Sequence, residues 1–119
     1  MRVLAFGSRT YTNQTNINSA LNTIHAATPA EILITGCSNR TVDIYARTWA
    51  KSKGVPIIDL DDYISGSSGS YGPQHNAALL LKGYPGSVVV FGDPTKDGEV
   101  ADMIKRCQDQ KLTLTQQVS

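Results

Sequence analysis

The feature that most constrains this fold is a short apolar run that ends at a glycine and leads through a polar loop into a helix. The run Ile32–Thr35 stops at Gly36, and from Val42 apolar side chains recur three and four positions apart, which indicates a helix. The same order recurs twice more within 119 residues. Strands that alternate with helices at this spacing predict a right-handed, doubly wound sheet.

The predicted strands are apolar runs without alternation, as expected for a parallel sheet that is covered on both faces. We place them at Val3–Phe6, Glu31–Thr35, Val55–Leu60, Ser87–Phe91 and Leu112–Thr115. The predicted helices run from a cap at Thr15 or Asn16 to about Ala27, from Thr41 to Lys53, from Asn76 to about Leu81, and through Val100 to Cys107. Residues 1–119 are therefore expected to form one Rossmann-like α/β domain with a mostly parallel five-stranded sheet and helices on both faces.

Charge, hydropathy and cysteine spacing limit the classes of function that are expected. Eleven basic and ten acidic side chains give a net charge of +1, which supplies no field to hold a nucleic-acid backbone. No apolar run approaches the roughly 20 residues of a membrane span, so no membrane partner is expected. Cys37 and Cys107 lack metal-ligand spacing, which predicts reduced thiols, a cytoplasmic location and no bound metal or cofactor. Cys37 as a nucleophile is the alternative, although no base is identifiable near it in sequence.

The expected binding site lies at one edge of the sheet. In doubly wound sheets, ligands bind beyond the carboxyl ends of the strands, at the point where the strand order reverses. Every polar loop of the chain follows a predicted strand, at Gly7–Asn13, Gly36–Arg40, Asp61–Asn76 and Gly92–Gly98. We therefore expect one ligand site where these loops meet.

Cationic or switchable side chains on three of these loops are the first candidates for binding an anion. An arginine such as Arg9 or Arg40 can hold a phosphate through two parallel hydrogen bonds. Alternatively, both arginines are solvated or pair with aspartates of the loops, at positions 43, 93 or 97. His75, near a helix N-terminus, would be a neutral donor to a ribose or a base, or else a structural cap.

Three further features each have two interpretations. Ser65–Tyr71 is rich in serine and glycine, and it is either a lid over the site or a surface loop. Tyr11 either stacks on a base or packs in the fold. Trp49 falls on the apolar stripe of its helix and is assigned to the core.

The loop motifs resemble those of a known group. Gly7–Tyr11 (G-S-R-T-Y) resembles the G-[GS]-R-x-[YF] signature of the SLOG superfamily, in particular its small YspA/YpsA-related branch, and the resemblance extends from Met1 to about Lys111. Thr35–Asp43 keeps a glycine and the aspartate of that branch's H-G-G-A-R-G-A-D loop, with Trp49 and Ala50 in register. Gly72–Asn76 resembles G-P-x-R-N, with histidine in place of arginine.

The last loop departs from the pattern. The superfamily has P-G-G-x-G-T where this chain has Gly92–Val100, which is longer and has an apolar residue at the threonine position. The change removes backbone donors and adds Asp93 and Asp97, which would repel a phosphate.

The resemblance implies that the chain binds a small nucleotide-derived ligand, such as an ADP-ribose-type molecule or a mononucleotide. It would act without turnover, as a sensor or a sequestering module, in a bacterial or phage protein that forms a homo-oligomer. The alternative is a LOG-like nucleoside 5′-monophosphate phosphoribohydrolase, with Asp43 or Glu99 as the catalytic carboxylate. Single-strand DNA binding, as in the DprA branch, is disfavoured because the charge is near neutral.

The candidate ligand-binding residues come from all four loops. They are Gly7, Ser8, Arg9, Tyr11, Gly36, Cys37, Ser38, Asn39, Arg40, Asp43, Gly72, Pro73, His75, Asn76, Gly92 and Asp93.

Overall fold

The computed structural model describes residues 1–36, 40–60, 73–112 and 115–119. Within these ranges the strands are β1 (Arg2–Gly7), β2 (Ile32–Thr35), β3 (Ile57–Asp59), β4 (Ser87–Phe91) and β5 (Thr115–Val118). The helices are α1 (Gln14–Ala27), α2 (Thr41–Lys53), α3 (Pro73–Gly83) and α4 (Gly98–Asp109).

The five strands form one sheet in the order β3-β2-β1-β4-β5, and all four strand pairings are parallel. The chain starts in the middle of the sheet, moves outward through β2 to β3, and then returns to place β4 on the other side of β1. The strand order therefore reverses between β1 and β4, where Gly7 lies opposite Phe91 at the carboxyl ends. The predicted Rossmann-like α/β fold is confirmed.

Alternate residues of the central strands serve two separate apolar layers. In β4, Val89 and Phe91 pack with α1 and α2, whereas Val88 and Val90 pack with α3 and α4. All four side chains are fully buried, and each contributes about 1.5–3 kcal/mol through removal of apolar surface from water. Trp49 is buried in the α1–α2 layer, as predicted, and its indole N–H donates to Asn22 at 2.8 Å.

Several element ends differ from the predicted ones. α1 begins earlier than predicted because Asn13, rather than Thr15 or Asn16, caps it: the Asn13 side chain accepts the Asn16 amide at 3.0 Å. α3 begins at Pro73 instead of Asn76, and a proline suits the first turn of a helix because it has no N–H to leave unpaired. β3 is three residues long, where six were predicted.

The last strand was predicted three residues too early. Leu112 lies just beyond the end of α4 at Asp109, and its amide donates to the Cys107 carbonyl of that helix at 2.9 Å. β5 is an edge strand that includes the exposed residues Gln116 and Gln117, so it lacks the apolar run by which the other strands were identified.

Helix α2 crosses β1 at very short range. A Cβ atom on Gly7 would lie 2.3 Å from Cγ2 of Val42, which is closer than real Cβ contacts allow. Glycine at the end of β1 therefore lets the first turn of α2 pack closely against the carboxyl end of this strand. None of the four helices is long and apolar enough to cross a membrane, a finding that covers the described part of the chain.

Candidate functional site

A cleft of about 240 Å³ opens where the strand order reverses. Its walls come from the loop after β1, the loop after β4 and the residue that follows β5. We call it the switch-point cleft, and its lining residues are Ser8, Thr10, Tyr11, Gly92, Asp93, Lys96, Asp97 and Ser119. Two of the four predicted binding loops thus meet at this cleft.

The loop after β1 is fixed to β4 and presents hydroxyl groups. The Ser8 amide donates to the Phe91 carbonyl at 2.9 Å, and the hydroxyls of Ser8 and Thr10 lie 3.0 Å apart. The ring of Tyr11 packs against Phe91 with ring centroids 5.5 Å apart. Tyr11 therefore packs in the fold, which is the second of its two interpretations. The same residue also lines the cleft.

The loop after β4 begins with a glycine that the geometry requires. Gly92 has φ +135°, and a Cβ atom there would lie 3.0 Å from Cβ of Ser8 and from Cγ2 of Val100. Residues with a side chain rarely adopt this φ, and a Cβ atom here would also require Ser8 or Val100 to shift by a few tenths of an ångström. Gly92 therefore helps to set the width of the switch-point cleft.

Two carboxylates in this loop are held by local donors. Asp93 accepts the amide and the hydroxyl of Thr95 at 2.9 and 2.6 Å, and these two bonds lower its pKa. Asp97 caps α4 by accepting the amides of Glu99 and Val100 at 2.9 and 3.1 Å. Burial acts to raise the pKa of Asp97, but the Ser8 hydroxyl, the two amides and the charge of Arg40 together hold it below its usual value.

The cap changes what the start of α4 can bind. The free N–H groups at a helix N-terminus form a ready site for a phosphate. Here Asp97 already accepts two of these N–H groups, so the chain's own carboxylate takes the place of a bound anion.

Arg40 and Arg9 meet on the same carboxylate. Arg40 is 4% exposed, donates to the Gly7 carbonyl at 2.6 Å and to Oε2 of Glu99, and lies over the ring of Phe6 at 5.1 Å. Arg9 is 53% exposed, and its Nε lies 3.1 Å from Oε1 of Glu99. Both arginines therefore contact one carboxylate, that of Glu99 in the first turn of α4.

Asn76 positions that first turn. Its side chain is fully buried, and its Nδ2 donates to the Glu99 carbonyl at 3.0 Å and to Asp102 at 2.9 Å. Asp102 also accepts from Nε of Arg106 at 2.8 Å. Asn76 therefore ties α3 to the turn that carries Glu99, and it acts on the site through that turn.

The remaining candidates lie elsewhere or outside the described residues. Asp43 is 2% exposed in the first turn of α2, and Gly36 directly follows β2. Pro73 and His75 fall in the first turn of α3. The predicted lid at Ser65–Tyr71 and four candidate residues lie outside the described ranges, namely Cys37, Ser38, Asn39 and Gly72. Among the described residues, no group of three His, Cys, Asp or Glu side chains could hold a metal ion.

Four residues that line the cleft were absent from the predicted site. Thr10 stands inside the recognised Gly7–Tyr11 motif, at its variable position. Asp97 carries a readable signal, because an aspartate just before a helical pattern indicates an N-cap. Lys96 lies in the predicted binding loop Gly92–Gly98 without being singled out, and Ser119 has no such signal, since only the fold brings the residue after β5 to the cleft.

Comparison with known families links this geometry to a group of proteins. Residues 1–61, just over half of the chain, match the family described as YspA, cpYpsA-related SLOG family (YAcAr). The matched part runs from β1 through β3 and includes Ser8, Thr10 and Tyr11 of the cleft as well as both clustered arginines. Neither the curated proteins nor the solved structures contain a match. The chain belongs to the YspA, cpYpsA-related SLOG family.

Proposed function

We propose that this protein binds a small nucleotide-derived ligand in the switch-point cleft and does not turn it over. The observation that carries the proposal is the position of the cleft, between the carboxyl ends of β1 and β4 where the strand order reverses. Ligands of open α/β sheets bind at this point. Membership of a SLOG family supports the ligand class, which is an ADP-ribose-type molecule or a mononucleotide.

The residues that line the cleft suit the anionic group and the sugar of a nucleotide. The ammonium group of Lys96 can donate hydrogen bonds to an anionic group, and the hydroxyl of Thr10 lines the same cleft. The carboxylate of Asp93 can accept hydrogen bonds from sugar hydroxyls, as acidic residues do for ribose in dinucleotide-binding folds. The cavity of about 240 Å³ is smaller than the roughly 300–1,000 Å³ of sites for larger ligands, so it suits one sugar-phosphate group with the remainder outside.

The carboxylates do not have the arrangement that glycosidic hydrolysis needs. Both oxygens of Glu99 face arginines, and Asp43 is buried outside the lining of the cleft. Cleavage of an N-glycosidic bond also requires a firmly fixed phosphate, since a shift of about 1 Å can reduce the rate on the order of 100-fold. Asp97 occupies two amides that would provide such fixing. Binding without turnover is therefore the function that this geometry favours.

Binding and product analysis together test the proposal. Purified protein is titrated with AMP, NAD and ADP-ribose by calorimetry, and the same mixtures are separated chromatographically after long incubation. We expect at least one of the three to bind and to be recovered intact. Release of free base, at a rate abolished in Glu99→Gln or Asp43→Asn, would instead establish the phosphoribohydrolase activity.

Substitution of Arg9 tests which cation faces the ligand. We expect Arg9→Ala to weaken binding by about 1.5–3 kcal/mol, the range for hydrogen bonds to charged groups. Arg47→Ala is the matched control, because Arg47 also pairs with a carboxylate, that of Asp59 at 3.4 Å, and neither residue lines the cleft. Equal losses of affinity in the two variants would show that Arg9 contributes only net charge.

A further inference from the structure

Glu99 lies between two arginines whose surroundings differ. Arg40 is buried, and its partners include the Gly7 carbonyl, the Phe6 ring and Glu99. Arg9 is half-exposed and meets the other oxygen of the same carboxylate. The cluster lies beside the lining of the switch-point cleft: the charge of Arg40 acts on Asp97, which lines the cleft, and the lining residues Ser8 and Thr10 flank Arg9 in the chain.

We propose that Glu99 is an internal counter-anion that competes with the ligand for Arg9. When a ligand with a phosphate-type group enters the cleft, Arg9 exchanges Glu99 for the ligand anion, and Glu99 remains paired with Arg40. This inference rests on the proposed function for its ligand class. It assigns unequal roles to two arginines that the loop motifs present as equivalent.

The exchange is possible at Arg9 because it leaves no buried charge without a partner. After Arg9 departs, Glu99 keeps its bond to Arg40, and Arg9 pairs with the incoming anion. Release of Arg40 would instead leave a guanidinium that is 4% exposed without its carboxylate, which is strongly unfavourable. Arg40 therefore stays paired with Glu99, and Arg9 can pair with a ligand while the Arg40–Glu99 ion pair remains intact.

The Arg9–Glu99 ion pair also makes the site discriminate between anionic and neutral ligands. A neutral nucleoside cannot replace Glu99 at Arg9, whereas a phosphate-type dianion can. Removal of the Glu99 charge should therefore tighten binding of anions and leave binding of neutral nucleosides nearly unchanged.

Calorimetric titration with inorganic pyrophosphate tests this inference, because the probe carries the anion and no sugar. We expect Glu99→Gln to bind pyrophosphate about two- to fivefold more tightly than the wild type, the factor that corresponds to loss of a competing, partly exposed ion pair. Adenosine titrated into the same variant should show no such gain. Tighter binding of adenosine, or weaker binding of pyrophosphate, would overturn the inference.

Two further variants separate competition from a general field effect. Asp93→Asn removes one negative charge from the same cleft without altering the arginine cluster, so we expect a gain for pyrophosphate of less than about twofold, as for other exposed charges. In the Arg9→Gln background, Glu99→Gln should give no gain, because the contested cation is absent. A gain of equal size in Asp93→Asn, or an undiminished gain without Arg9, would refute the competition.

A measurement on the wild-type protein covers the case in which Glu99→Gln does not fold. The Nε–H resonances of Arg9 and Arg40 are followed by NMR during a pyrophosphate titration. The two resonances are assigned with the variants Arg9→Lys and Arg40→Lys. We expect the Arg9 resonance to move and that of Arg40 to stay in place. Movement of the Arg40 resonance alone, or of neither resonance up to the highest pyrophosphate concentration, would contradict the exchange. If pyrophosphate moves Arg9 but none of the nucleotides binds, the counter-anion role stands and the proposed function fails.

Discussion

The difference between Arg9 and Arg40 arises from residues far away in the chain. Both follow strands, and both stand in polar loops, so their local sequences are alike in kind. The carboxylate that they share is 59 residues beyond Arg40, on a helix of the opposite layer. A long-range ion pair thus decides which arginine is structural and which one can face a ligand.

This assignment predicts that two matched substitutions lower stability by unequal amounts. We expect Arg40→Met to lower the free energy of unfolding by at least about 2 kcal/mol, because the Gly7 carbonyl and Glu99 both lose a charged donor. Arg9→Met should lower it by no more than about 1 kcal/mol, since half-exposed ion pairs contribute little. Urea denaturation of the apo proteins measures both values. A larger loss for Arg9 than for Arg40 would reverse the assignment.

At the scale of the elements, the start of α4 links stability to pH. Asp97 caps the helix, and its pKa lies below the ordinary value because donors and the charge of Arg40 outweigh the effect of burial. A carboxyl whose pKa is lowered by folding stabilises the protein above its unfolded pKa of about 3.9, and the contribution is lost as the pH falls through the folded value. The cap is therefore expected to weaken in acid.

Two variants of Asp97 separate the cap from the charge. Asp97→Ala should lower stability at neutral pH by about 0.5–2 kcal/mol, the usual cost of losing an N-cap side chain. Asp97→Asn keeps a capping oxygen but cannot titrate, so its difference from the wild type should shrink as the pH falls below about 4. Thermal melts across this pH range measure both effects. A difference that stays constant with pH would mean that the charge of Asp97 contributes nothing.

Over the whole molecule, the sequence was sufficient for the architecture and insufficient for the details of the site. Apolar runs such as Ser87–Phe91 identify buried strands because both faces of each strand are covered. This pattern does not locate β5, because an edge strand with exposed glutamines has no apolar run. The edge at which the cleft lies followed from the polar loops, but Ser119 reaches it only through the sheet order. Local patterns carry no record of such contacts.

The same sheet should make the two apolar layers unfold as one unit. Each central strand sends alternate side chains into both layers, so loss of one layer exposes the strands on which the other is built. Trp49 is the single tryptophan and lies in the α1–α2 layer, so its fluorescence reports on that layer alone. Met103 is fully buried in the opposite layer.

We therefore expect a cavity in one layer to be sensed in the other. Met103→Ala should lower the free energy of unfolding by about 2–5 kcal/mol, the range for truncation of a buried methionine. The midpoint of urea unfolding followed by Trp49 fluorescence should fall as far as that followed by circular dichroism, because a domain of this size unfolds in one transition. Leu21→Ala, which creates a cavity in the tryptophan layer, is the matched control. If Met103→Ala shifts the circular dichroism midpoint and leaves the fluorescence midpoint in place, the layers unfold separately and the sheet does not couple them.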